Sequence, residues 1–217
     1  MPLSNGLNAT LEESGERAIM SFLAKHPELV YWAFARTDGH ASFVLKEFPF
    51  GSRYKADFVV LYAYSRVWEI HLIELEPPND LVITKRGVPS ARLSGAVSQV
   101  SDWRDYFSRH RAVVQRDLND WCGKKDLLGW MQDPKDPMNF TGDELKDPSI
   151  FVDLQCHVII GRRAALDSEK GRKVNQYGYN GFVRIGTFDR FLDIARNLDR
   201  RAEDPESPVS LAEKHEL

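Results

Sequence analysis

The sequence predicts a mixed α/β (α+β) domain with a central mixed β-sheet flanked by helices. Three observations carry this. Residues 54–76 are rich in β-branched and aromatic side chains, with their clearest polar break at Tyr64-Ser65-Arg66-Val67, so they read as an antiparallel strand pair. Residues 90–110 carry Leu93, Ala96, Val97, Val100, Trp103 and Phe107 at helical spacing. Beyond residue 150, strand-like and helix-like segments alternate. A hairpin followed by such alternation implies a mixed sheet with helices on both faces.

Taken in order, residues 1–9 are small and polar and read as a flexible N-terminus. Thr10 and Glu13 have capping-box spacing, so a helix is expected from Thr10 to Lys25 with Leu11, Ala18, Phe22 and Leu23 inward. Glu13 and Glu16 sit on its polar side, within possible reach of the acidic cluster described below. His26-Pro27 ends the helix, and Thr37-Asp38-Gly39 reads as a turn. Residues 41–48 form the first expected strand, with Phe43, Leu45 and Phe48 in uneven alternation. Pro49, Gly51 and Ser52 lead into the hairpin. Pro77-Pro78-Asn79-Asp80 cannot continue a central strand. Residues 81–84 suit a short edge piece, and Lys85-Arg86-Gly87 a basic loop.

Ser90 is a plausible N-cap for the long helix. Residues 117–148, with Trp121, Trp130, Pro134 and Pro137, read as an irregular insertion. In the strand expected over 151–161, Val152, Leu154, Cys156, Val158 and Ile160 share one face. A helix over 168–176 carries Lys170, Arg172 and Lys173. A short strand covers 182–185, and Thr187 is expected to cap a last helix to Leu198. Residues 201–217 read as a mobile charged tail, leaving 10–200 as one domain.

Composition narrows the class. The chain has 217 residues, 42% hydrophobic and 28% charged, which suits one soluble domain with a full core. The net charge of −3 gives no global signal for nucleic acid, so any polyanion site must be a local basic patch. Cys122 and Cys156 have no metal-ribbon spacing and fit a reducing cytosol. No apolar run reaches membrane-spanning length and no secretory signal is visible, so a cytoplasmic location without membrane contact is expected. The terminal Lys214-His215-Glu216-Leu217 has the form of a retention signal, which has no meaning without a signal peptide.

The chemistry lies in the hairpin. With Ser65 and Arg66 as a two-residue loop, Tyr64 faces Val67, Asp57 faces Glu74, and Lys55 faces Glu76. Opposed residues lie about 4.5–5.5 Å apart at Cβ, so two carboxylates there repel. A shared proton, a cation or a nearby Lys must offset that repulsion. An isolated Asp and Glu would more simply be a strand cap and an arginine-paired rim residue. Here, however, both interrupt apolar strands at matched positions. Glu76 and, if the long helix packs nearby, Gln99 join the set. These are the hard oxygen donors that Mg²⁺ or Mn²⁺ prefers. Pro77 stops the strand, leaving the Leu75 carbonyl as a further candidate ligand. His71 lies on the opposite face from Glu74 by parity, and the six histidines form no metal motif. There is no Gly-x-Ser-x-Gly elbow and no phosphate-binding P-loop, and no small-molecule cofactor is expected.

Asp57, sixteen hairpin residues and then Glu74-Leu75-Glu76 resemble the core of the PD-(D/E)xK nucleases. The chain is most similar to one branch, the nuclease-domain family of Shedu, a bacterial anti-phage defence protein. The matching pieces are Tyr54-Lys55-Ala56-Asp57-Phe58, Trp68, and Ile73-Glu74-Leu75-Glu76-Pro77. They continue with Ala96, Gln99, Asp102 and Trp103, then Ile159-Ile160-Gly161-Arg162-Arg163 and Thr187-Phe188-Asp189. Together they cover roughly residues 10–200.

The resemblance implies a restriction-endonuclease-like core and a Mg²⁺-dependent endonuclease acting on DNA. Asp57 and Glu74 would bind metal, and Gln99 would support the centre. Glu76 stands where the family has Lys and cannot supply that positive charge; Lys55 or Lys85 are the candidates to do so. Arg53, Lys85, Arg86, Arg162 and Arg163 are candidate phosphate contacts, as are Lys170, Arg172 and Lys173. The resemblance also suggests a homo-oligomer, with Trp121 and Trp130 as possible interface residues. The rival readings are a degenerate nuclease fold that binds without cutting, and a structural module whose acids are ion-paired.

Overall fold

The computed structural model describes residues 1–13, 15–35, 39, 41–129 and 137–204. The expected Thr37-Asp38 turn, Trp130, Pro134 and the tail from residue 205 onward lie outside these.

Five strands form one sheet in the order β1-β2-β3-β4-β5. They are β1 (Ser42–Phe50), β2 (Tyr54–Tyr64), β3 (Val67–Leu75), β4 (Phe151–Ile159) and β5 (Arg184–Gly186). The first two pairings are antiparallel and the last two parallel. Helices α4 (Ala91–Lys125) and α5 (Ser168–Gly181) pack on one face. Helices α1 (Leu3–Glu13), α2 (Glu16–Lys25), α3 (Pro27–Phe34) and α6 (Asp189–Glu203) pack on the other. This is the expected mixed sheet between helical layers. Among the described residues no helix is long and apolar enough to cross a membrane.

The hairpin register is as expected from Tyr64–Val67 to Phe58–Ile73, where the ladder ends; the expected Asp57–Glu74 opposition lies beyond its last pair. The Ser65-Arg66 loop closes because Ser65 takes a φ of 53°. A positive φ at the first loop residue gives a two-residue turn the twist that antiparallel strands need.

The uneven alternation in β1 also has a physical source. Glu47 has a φ of 53°, and the pairing skips Glu47 and Asp57 between Lys46–Phe58 and Phe48–Ala56. Leu45, Phe48 and Phe50 consequently all face α4, and so do Ala56 and Val59 across the irregularity. Asp57 sits where β2 changes face.

The N-terminus corrects the sequence reading. Residues 3–13 are helical rather than loose, and Leu7 and Leu11 are fully buried. The Asp199 carboxylate on α6 accepts the N–H groups of Leu3 at 2.7 Å and Ser4 at 2.9 Å. A carboxylate there satisfies orphan donors and meets the positive end of the helix. Thr10 is therefore mid-helix and not an N-cap; its hydroxyl donates to the Gly6 carbonyl. A second helix begins at Glu16, in which Ile19 is buried while Ala18 is exposed.

Ser90 does cap α4, accepting the Leu93 N–H at 3.1 Å. The expected end near His110 is a kink, with φ −125° and ψ 27° at His110. The helix then continues into the expected insertion, burying Val114, Leu118 and Cys122 one turn apart. Gln115, fully buried, donates to the carbonyls of Leu145 and Asp147 and ties the segment before β4 to α4. Thr187 does not cap α6 with its side chain; Phe188 is the N-cap residue. The last helix also runs to Glu203, so the first residues of the expected tail are helical.

Candidate active site

Beyond the Phe58–Ile73 pair, the next amide is taken by a side chain. Asp57 Oδ2 accepts the Leu75 N–H at 2.8 Å. The face change at Asp57 turns its carboxylate toward the end of β3. Glu74 follows Ile73, which faces the α1–α6 layer, and so points back toward α4. There Gln99 Nε2 donates to Glu74 Oε1 at 2.9 Å. Glu76 lies just past the strand, its N–H bonded to the Ile159 carbonyl. The structure thus brings together Asp57, Glu74, Glu76 and Gln99 at one end of the sheet.

The electrostatics of the group are distinctive. Burial pushes Asp57 up to about 6, opposed by the Leu75 N–H and Lys55 and reinforced by Glu16. Burial pushes Glu74 up to about 9, with the neighbouring Asp57, Glu76 and Glu16 charges adding to it and Gln99 opposing. Burial likewise lifts Glu76 to about 7, while Arg92 holds it down. Glu16, on α2, raises all three. Partly desolvated carboxyls that repel one another resist ionisation unless a cation joins them.

The donor set fits Mg²⁺ or Mn²⁺. Asp57 and Glu74 offer hard oxygens, and the backbone of Leu75 is tied to Asp57 through its N–H. Mg²⁺ is commonly held by one or two carboxylates, with waters and phosphate oxygens completing the shell. No group of three or more His, Cys, Asp or Glu side chains among the described residues is arranged as a ready-made metal cage.

The cations fall differently from the sequence reading. Lys55 pairs with Pro49 in the β1–β2 ladder, and its Nζ binds Glu47 Oε1 at 2.7 Å. β3 ends at Leu75, so no ladder sets Lys55 against Glu76. The cation touching Glu76 is instead Arg92, whose Nε lies 3.4 Å from Glu76 Oε2 and 3.3 Å from Asp80 Oδ2. Arg92 was legible only as the second residue after the N-cap Ser90. Lys85 and Arg86 are exposed in the loop before α4, and Lys173 Nζ lies 2.8 Å from where a Cβ on Gly87 would stand. Arg53 is exposed in the β1–β2 turn.

Arg162 and Arg163 are engaged in the fold. Asp189 Oδ2 accepts the Arg163 N–H at 2.6 Å, and Asp189 also holds the Arg162 guanidinium at 3.4 Å. Arg163 Nη2 binds Asp193 at 2.7 Å. The Phe188 N–H donates to the Gly161 carbonyl. The Gly-Arg-Arg and Thr-Phe-Asp pieces are therefore two halves of one junction between β4 and α6. Gly161 is required there: its φ is 65°, and a Cβ would lie 2.8 Å from the Asp80 carbonyl oxygen.

His71 lies on the opposite face, as expected. It is buried against His157, with Nδ1 and Nε2 2.9 Å apart, and takes no part in the carboxylate group.

Comparison with known proteins adds one finding. The family model of the C-terminal domain of Shedu protein SduA matches residues 13–192. The chain belongs to this family. The match spans every strand and reaches into α6, so Asp57, Glu74, Glu76, Gln99 and Arg92 all lie within the Shedu domain. It makes the chain a domain of the Shedu defence proteins. No curated protein matches the chain.

Proposed function

We propose that this Shedu domain is a divalent-cation-dependent endonuclease with a PD-(D/E)xK core, hydrolysing DNA phosphodiester bonds in bacterial anti-phage defence. The observation that supports it most is the meeting of Asp57, Glu74 and Glu76 at one end of the sheet, all three held above the ordinary carboxylate range.

Asp57 and Glu74, with the Leu75 carbonyl, would hold the cation. When bound, it supplies a water of lowered pKa and offsets the charge that develops at phosphorus. Asp57 is oriented by the Leu75 N–H and Glu74 by Gln99. Glu76, at about 7, has the basicity of a general base at neutral pH. It would take a proton from the attacking water as the new P–O bond forms and the bridging P–O bond breaks. Lys55 adds positive charge near Asp57 and Glu74. Exposed Arg53, Lys85 and Arg86 would contact the DNA backbone. The protein would act in the cytoplasm, as a homo-oligomer.

Plasmid and linear DNA incubated with Mg²⁺ or Mn²⁺ test the reading. Cutting by the wild type, abolished in Asp57→Ala and Glu74→Ala proteins that keep their melting temperature, is the expected result. DNA binding with no cutting under either metal would replace it with a binding-only role, which the occupation of Glu76 by Arg92 favours.

A further inference from the structure

Three carboxyls and the nearby Glu16 make this end of the sheet strongly acidic. A phosphodiester is itself an anion, so a bound cation alone leaves it facing surplus negative charge. Some protein cation must meet it. Among the cations near the group, Lys55 is tied to Glu47 by an ion pair at 2.7 Å and feels Asp57 and Glu74 without contacting either. Arg92 is different. It stands in the first turn of α4, and its Nε lies between Glu76 and Asp80. Its hydrogen bonding among the described residues leaves from Nε alone, to Asp80. The side chain is 58% exposed. The two terminal amino groups, with four N–H donors in a fixed plane, are thus presented beside the carboxylates without a hydrogen-bond partner of their own. This fork matches two oxygens of a phosphate.

We propose that Arg92 is the cation that meets the scissile phosphate, and that Glu76 and Asp80 are the positioning residues that aim it. The proposal rests on the nuclease reading above. Asp80 is itself set by the chain: the Asp80 carbonyl packs against Gly161, whose N–H donates to Pro77. The Pro77–Asp80 loop, β4 and the start of α4 thereby locate one guanidinium. Because a guanidinium stays protonated, its contribution is charge and geometry rather than proton transfer.

The test uses the full chain with Mg²⁺ and plasmid DNA. Arg92→Ala should lower the cleavage rate by about 10²–10³-fold, the usual loss on removing one donor aimed at developing charge. Binding to DNA in Ca²⁺ should stay close to wild type. Arg92→Lys should retain part of the rate, because it keeps a cation at that position. Calorimetric titration with Mn²⁺ separates direct contact from an effect through the carboxylates. Mn²⁺ affinity of the Arg92→Ala protein close to wild type supports phosphate contact; a loss of Mn²⁺ affinity large enough to account for the rate deficit overturns it. Wild-type cutting that Asp57→Ala abolishes and Arg92→Ala leaves intact overturns this proposal alone. A wild type that cuts with neither Mg²⁺ nor Mn²⁺ overturns the nuclease reading, and this proposal with it.

Discussion

Gln99 Nε2 donates to Glu74 Oε1 at 2.9 Å and so fastens the N-terminal part of a long helix to the end of the central strand. The contact orients a carboxyl that burial and its acidic neighbours push up to about 9, and it opposes that rise. Gln99→Ala should therefore weaken Mn²⁺ binding by about 10–100-fold, the usual effect of losing a group that orients a ligand. Calorimetric titration of Mn²⁺ measures it. Unchanged affinity would remove Gln99 from the site.

The pH dependence of stability follows from the same group. Asp57, Glu76 and Glu74 sit at about 6, 7 and 9, above their values in an unfolded chain. A raised carboxyl stabilises the fold while protonated. That contribution is complete below the unfolded pKa of about 4 and is lost as pH rises through the folded values. The metal-free protein should lose stability from about pH 5 to pH 9 through these groups. Mg²⁺ binds the ionised form, so it should raise the melting temperature more at about pH 8 than at pH 5. Thermal melts with Mg²⁺ or chelator at the two pH values check this, and an equal shift at both would contradict it.

Asp199 caps a helix nearly the whole chain away from it. Replacing it with Ala should cost about 0.5–2 kcal/mol, as for loss of other caps. Hydrogen exchange should quicken first at Leu3 and Ser4. Protection unaltered at both amides would show that packing of Leu7 and Leu11 alone holds α1.

Asp189 binds both Arg162 and the Arg163 backbone. Asp189→Ala leaves a partly buried guanidinium unpaired and should destabilise the protein by about 1–3 kcal/mol, below the value for a fully buried pair. Denaturant titration gives the number. In the same vein, Arg163→Ala should lower stability while leaving DNA binding and its salt dependence near wild type. A reduced salt slope without loss of stability would return Arg163 to the DNA interface.

How much of this was legible in the sequence differs element by element. The hairpin register could be read because the clearest polar break in a largely apolar run locates the turn, and the period of two carries the pairing to Phe58 and Ile73. Ser90 and the stripe from Leu93 to Phe107 were legible because caps and helical periodicity are local. The continuation of α4 past His110 was hidden by a kink that interrupts the stripe. The helical N-terminus was hidden because its cap comes from Asp199.

The sequence by itself determined the pairing of β2 with β3, the layered mixed sheet, and the candidacy of Asp57, Glu74, Glu76 and Gln99. Only the tertiary structure decided which cation meets which carboxylate: Lys55 with Glu47, Arg92 with Glu76 and Asp80, and Arg162 and Arg163 with α6. Periodicity propagates along a chain through local sterics. Ion pairs form between long flexible side chains whose Cα positions are set by distant segments, and no local pattern encodes that meeting.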